Sequence, residues 1–221
     1  MLSVLSRVYS GMTIKALEQA IGGLSNPSKM PGWSYGIPAS ACKIGAILRK
    51  IKRSVCSKCY AFKGMYVFPV VKEAQARRLA ILTGDLETWQ GDMIQLLSFK
   101  YRKKTGDDRV FRWHDAGDIQ SEDHFQAIVN IALALPDIQF WIPTKEYDLI
   151  RQHAHKAPAN LVVRVSAPML GDTLPMIPGT VGSTVGTGKG FVCGAYTREG
   201  KCGPCRACWD KSVEWVDYPQ H

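Results

Sequence analysis

The chain has 221 residues, 46% hydrophobic and 21% charged, with 28 Lys and Arg against 19 Asp and Glu for a formal charge of +9. That length and composition suit one globular domain, and the absence of any run of about 18 apolar residues excludes a membrane-spanning helix. The opening "MLSVLSRVYSG" is broken by Ser and Arg, unlike the continuous apolar core of a signal peptide, so a cytoplasmic protein with no membrane partner is expected.

In chain order, "MTIKALEQAIG" (12–22) places Ile14, Leu17 and Ile21 at helical spacing and ends at Gly22-Gly23. Residues 24–42 hold three prolines and two glycines, yet also Trp33, Tyr35 and Ile37, and predict an ordered loop. Helices are predicted at about 69–83 and 85–104, the second with Asp85 as N-cap. From there the pattern changes. "RVFRWHD" (109–115) is rich in β-branched and aromatic residues and predicts a strand. A helix follows at 121–136, capped by Ser121 and stopped by Pro136, with Phe125, Ile128, Val129, Ala132 and Leu133 on one side. Then come a strand at 138–144, a helix at 145–158, a strand at 160–168 and one more within 179–186.

Strands thus recur at the length of a βα unit, which implies a parallel sheet with helices outside it. The expected fold class is α/β: a full or partial TIM-barrel-like parallel βα barrel, with an open doubly wound sheet as the alternative. One domain is expected over 1–221, with the barrel-like core over about 24–185 and a cysteine-rich C-terminal metal-binding segment over about 186–221 packed on it.

Seven cysteines are present, an odd number that argues against a disulfide framework. The tail reads "FVCGAYTREGKCGPCRACWD", with Cys193, Cys202, Cys205 and Cys208. A C-x2-C-x2-C run with a fourth cysteine suits a [4Fe–4S] cluster, since each short gap lets successive thiolates reach different irons, and Gly203-Pro204 gives a tight turn. Structural zinc on four thiolates is the alternative metal. The front group is Cys42, Cys56 and Cys59, with Tyr60 directly after. Three plus four is the simplest partition, giving one or two clusters, and three thiolates leave one iron open to a ligand. A single site mixing Cys56 and Cys59 with Cys205 and Cys208 is the competing partition. Lys58 and Lys63 are close enough in sequence to offset charge at the front thiols.

The stretches "NPSKMPGWSYGIPASACK", "VCSKCYAFKGMYVFP", "FRWHDAGDIQS", "LVVRVSAPM" and "CGPCRACW" resemble the phage gene product 88 family over about residues 24–221. The resemblance implies an iron–sulfur protein, because the family's pattern includes all seven cysteines, and a location in the host cytoplasm. A more distant likeness is to radical S-adenosylmethionine enzymes, which are βα barrels with three cysteines near the start, an aromatic beside the last, and a Gly-plus-acid motif closing the next strand. Cys42, Cys56, Cys59, Tyr60 and "AGD" (116–118) match it loosely. The first cysteine gap is thirteen residues instead of the usual three, and the aromatic follows the last cysteine. The likeness implies S-adenosylmethionine as a cofactor, with Tyr60, Gly117, Asp118 and Ser166 near it.

In a parallel βα architecture the C-terminal strand ends face the functional mouth. His114, Asp115 and Asp118 end one predicted strand, Thr144, Lys145 and Glu146 the next, and Arg164 and Ser166 the third. His114, Asp115, Asp118, Lys145 and Arg164 are the catalytic candidates, against salt bridges or helix caps as the plainer reading. Such charge suits a small polar ligand. The basic clusters at 43–54 and 100–104 suit either a solvated face or nucleic acid. His124, His153, His155 and His221 read as surface residues. No phosphate loop is present, "GTGKG" (186–190) being too short, and H-E-x-x-H does not occur. An enzyme and a non-enzymatic, cluster- or zinc-stabilised binding protein both remain open.

Overall fold

A computed structural model describes residues 12–173 and 176–220. Helix α1, Ile14–Ala20, starts at Thr13, whose hydroxyl accepts from Ala16 N at 3.1 Å. It ends at Gly22 and Gly23, whose positive φ values turn the chain. Strand β1, Trp33–Tyr35, lies inside the stretch expected to be loop. Three residues are too few to show an alternating pattern. The short helix α2, Ile44–Leu48, then leads into the Cys56–Cys59 turns.

Helices α3, Pro69–Gly84, and α4, Leu86–Tyr101, meet at Asp85, whose carboxylate accepts from Thr88 N at 3.0 Å as the expected N-cap. Next come β2, Val110–Trp113, α5, Glu122–Ala134, β3, Gln139–Thr144, α6, Tyr147–His153, β4, Leu161–Ser166, and β5, Val181–Val185. The C-terminal segment adds β6, Phe191–Val192, and β7, Trp215–Tyr218, to the sheet. It is therefore woven into the sheet instead of only packed on it.

All pairings are parallel, in the order β1-β2-β3-β4-β5-β7-β6. The sheet is open, with β1 and β6 as its edges, so the closed form of the expected barrel is not what these strands make. Sequential order from β1 to β5 follows from crossovers of one hand, which set the helices on one face. On that face Phe111, Trp113, Phe140, Ile142, Leu161 and Val163 pack with Leu17, Trp89, Leu96, Phe125 and Ile128 in one buried core. Leu133, expected among them, is 59% exposed.

The alternate strand positions face the other way, because side chains reverse at each residue. There Val110 and Trp141 form a smaller cluster with Trp209 of the C-terminal segment, bordered by Met30 and Cys208. Trp209 Nε1 donates to Phe111 O at 2.9 Å, and the Trp141 and Trp209 rings meet edge to face at 5.1 Å. The cysteine-bearing tail thus covers the face that the helices leave free. Among the described residues no helix is long and apolar enough to cross a membrane.

Candidate functional site

The C-terminal ends of β2 and β3 are joined through Asp118. Its carboxylate accepts from Thr144 Oγ1 at 2.7 Å, from Lys145 N at 2.9 Å and from Ile119 N at 2.8 Å. The loop that presents it is conformationally demanding. His114 takes a φ of +52°, unusual for a side chain with a Cβ. Gly117 takes +84°, and a Cβ there would lie 2.3 Å from Ile37 Cγ1, so only glycine fits. The front cysteine loop is clamped to this mouth: Glu146 accepts from Ile44 N at 3.3 Å, and Lys43 Nζ donates to Gln120 O at 2.6 Å.

Gly45 lies between two of the front sulfurs. A Cβ added there would sit 2.9 Å from Cys42 Cβ, 3.6 Å from Cys42 Sγ and 3.8 Å from Cys56 Sγ, so glycine lets the backbone pass close to the thiols. Cys56 and Cys59 flank a turn capped by Ser54, whose hydroxyl accepts from Ser57 N at 3.0 Å. Burial pushes the Cys42 thiol up to about 12, with Asp118, Cys59 and Cys56 adding to it. Burial raises Cys56 as well, and Lys145 is the cation that opposes the rise. Lys145, across the mouth, therefore takes the part that sequence proximity gave to Lys58 and Lys63. Asp118 is raised by burial against its three hydrogen bonds, and Glu146 by burial and then by Asp118.

The tail cysteines form the second group. Gly203 takes a φ of +59° in the expected turn, and Cys205 N donates to Cys202 O at 3.3 Å. Burial raises Cys202, with Cys193 and Cys205 adding. Burial also raises Cys208 to about 11, with the Tyr218 hydroxyl 3.2 Å from its sulfur opposing the rise. The thiols that raise Cys42 and Cys56 lie within the front group, and those that raise Cys202 and Cys208 lie within the tail group.

Arg112 lies between the groups and was not singled out in the sequence. Its Nη2 donates to Tyr60 Oη at 3.2 Å and its guanidinium stacks 4.6 Å from the Trp141 ring centre. It also favours the ionised forms of Cys202 and Cys208. Its place in "FRWHD", between two buried aromatics, is the signal that puts it on the other face. Tyr60, 55% exposed, donates to Asp115 O at 2.5 Å, and Tyr66 donates to the Asp115 carboxylate at 3.2 Å.

The remaining candidates are placed differently. Arg164 is fully buried, and its guanidinium donates to the carbonyls of Gly182, Ala207, Asp210 and Val213. Those bonds staple the tail to β4. Ser166 accepts from Ser183 Oγ at 3.0 Å. His124 is 1% exposed, not a surface residue, because α5 turns it toward His114, ring to ring at 5.4 Å, and toward Trp89. His153 is half-buried beside Glu122, His155 is exposed, and His221 lies outside the described residues.

Burial holds both His114 and His124 well below the usual imidazole range, His124 at about 3. Both then take up protons on unfolding, so the stability they contribute is complete above about pH 6.5 and is lost as pH falls from there. Each should cost roughly 2 kcal/mol between pH 6.5 and pH 5. Asp118 and Glu146, with raised values, act in the opposite sense. Urea melts at pH 7 and pH 5 check this: His124→Gln should weaken the dependence, whereas equal stability at both values in the parent would contradict it.

Among the described residues no three His, Cys, Asp or Glu side chains converge on one ion position. A single Zn²⁺ needs donors at about 2.0–2.3 Å from one point. A cluster does not, since each thiolate takes its own iron. The donor chemistry, all thiol in both groups, fits a cluster better than one ion.

The fold and the site define an α/β protein with an open, all-parallel sheet, with one group of cysteines at the mouth formed by the C-terminal strand ends and the other in the tail that covers the face away from its helices. Residues 3–173 match the gene product 88 family, and the chain belongs to it. The matched stretch holds Cys42, Cys56 and Cys59 and stops before the tail cysteines, a shorter span than the motif likeness over 24–221. No curated protein and no solved structure matches the chain.

Proposed function

We propose that the protein is an iron–sulfur protein with two thiolate-held centres, one on Cys42, Cys56 and Cys59 and one on Cys193, Cys202, Cys205 and Cys208. The observation that supports it is that all seven thiol donors fall in two stretches of the fold, three beside the mouth at the C-terminal strand ends and four in the tail that covers the sheet. In this reading the open sheet acts as a partial barrel and the tail as its metal-bound cover, working in the host cytoplasm. When bound, such centres supply electrons one at a time and hold an exchangeable ligand where a thiolate is missing. Three thiolates leave that position at the front group, beside Asp118, Lys145 and Glu146.

The chain's own residues then have definite parts. Lys145 balances the front thiolates, Asp118 fixes the β2–β3 mouth, and Tyr60 with Arg112 closes the space between the two groups. A small polar ligand enters at the mouth, S-adenosylmethionine being the candidate from the cysteine pattern, and the +9 charge favours nucleic acid as the larger partner. The competing reading, a zinc-stapled binding protein without catalysis, differs in metal and in ligand response. Anaerobically purified protein should be brown, with iron, sulfide and broad absorption near ~400 nm. Added S-adenosylmethionine should change the EPR signal of the reduced protein. Colourless protein with zinc and no sulfide would contradict the proposal.

A further inference from the structure

Beside the front cysteine turn, and apart from its thiols, lies a cleft of about 530 Å³ lined by Lys52, Arg53, Ser57, Lys58, Leu170, Gly171, Gly186 and Gln220. Three cations line it and no carboxylate does. Among the described residues none of Lys52, Arg53 and Lys58 makes an ion pair. Elsewhere the chain does pair its exposed cations, as in Arg151–Asp148 and Lys201–Glu199. An unpaired concentration of like charge in a concavity is held against its own repulsion, and it raises the local concentration of anions.

The walls are built, not loose. Val55 N donates to Pro168 O at 2.8 Å and Leu170 N to Arg53 O at 3.0 Å, so the 53–55 strip runs antiparallel to the chain leaving β4. Gly171 N donates to Val185 O and Gly186 N to Tyr218 O, both at 2.9 Å, tying the opposite wall to β5 and β7. The Leu170–Gly171, Gly186 and Gln220 walls follow the C-terminal ends of β4, β5 and β7, where parallel α/β sheets take their ligands, and the 53–55 strip is bonded to the first of them. Arg53 is also held at a φ of +66°, a conformation that glycine would adopt without strain. A long cation kept at that cost points to a use for its side chain.

We infer that this cleft binds the phosphates of a nucleotide or of a single-stranded nucleic acid. Arg53 offers the planar fork that matches a phosphate's oxygens, with Lys52 and Lys58 as point charges beside it. The volume lies within the range of small-ligand sites, about 300–1,000 Å³, and exceeds what one inorganic phosphate needs. Leu170 is the only apolar side chain in the lining, so recognition rests on charge. The adjacent glycine-rich turn does not supply the donors. Thr187 N and Gly188 N are already given to the Asp217 carboxylate, at 3.1 and 2.9 Å, which fills the place an external anion would take. The inference stands apart from the cysteine reading, because no cysteine lines the cleft.

The test titrates pyrophosphate, ATP and a labelled oligothymidylate into the full-length protein at low and at physiological salt. The Lys52→Gln/Arg53→Gly double variant should bind each probe about tenfold more weakly. It should melt no lower than the parent, since glycine relieves the strain at 53, and iron content measured on the same samples should be unchanged. Lys103→Gln/Lys104→Gln removes equal charge from the other basic cluster and should alter binding by less than about threefold. Tighter binding of ATP would identify a nucleotide site, and tighter, strongly salt-dependent binding of the oligonucleotide a strand path. Binding of none of the three probes, or equal weakening in the control variant, would overturn the inference.

Discussion

Replacing Arg164 by Met is expected to lower the unfolding free energy by roughly 3–5 kcal/mol and to free the C-terminal segment for proteolysis. Arg164 has no exposed surface, and its donors reach the carbonyls of Gly182, Ala207, Asp210 and Val213. Methionine keeps the apolar volume but leaves those carbonyls without donors, each buried unpaired group costing about 1–3 kcal/mol. Burial already pushes against the charge of Arg164, so part of the loss is offset when the charge goes. Urea unfolding and trypsin cleavage after Arg206 and Lys211 measure the result. A variant within about 1 kcal/mol of the parent would show that water satisfies the carbonyls and that the staple is not needed.

Cys208→Ser should be the other large effect. Cys208 borders the Val110–Trp141–Trp209 cluster, and its sulfur lies 3.2 Å from the Tyr218 hydroxyl. A ligand that is also part of the packing couples metal binding to folding. Serine keeps the volume and loses the soft thiolate, so the difference reports the centre and not a cavity. A loss of at least about 3 kcal/mol is expected, a fraction of the roughly 10 kcal/mol or more that a structural four-thiolate site supplies. Chelator-treated parent should melt where the variant melts. If Cys208→Ser melts like the untreated parent, the tail cysteines hold nothing that the fold depends on.

The alternation of helices and strands was legible because its signals are dense. The caps at Asp85 and Ser121, the stop at Pro136 and the apolar runs "VVRV" and "FWI" each carry a local physical cause. Strands β1, β6 and β7 were not legible. They are three, two and four residues long and gain their order from neighbours in the sheet, not from their own pattern. Their pairing is also what leaves the sheet open, which no periodicity reveals.

Within the site, the cysteines declared themselves by spacing, and Asp118 and Lys145 by their position at strand ends. Arg112, the residue between the two cysteine groups, needed the alternation of β2 to be read together with the tail that crosses it. The charge partner of the front thiols was misplaced for the same reason. Lys58 is adjacent in sequence, but Lys145 arrives across the mouth. His124 read as surface because a lone histidine in a helix carries no sign of which ring it will face.

Iron and acid-labile sulfide, counted per chain in the parent and in two triple variants, test the two-centre reading most directly. The parent should hold about eight of each, as two four-iron clusters require. Cys42→Ala/Cys56→Ala/Cys59→Ala should keep about half, with the tail centre intact and no spectral response to S-adenosylmethionine. Cys202→Ala/Cys205→Ala/Cys208→Ala should keep the complementary half in whatever protein remains folded. Loss of all iron from the front variant would mean that the seven cysteines serve one shared site, and zinc without sulfide in the parent would mean that neither centre is a cluster.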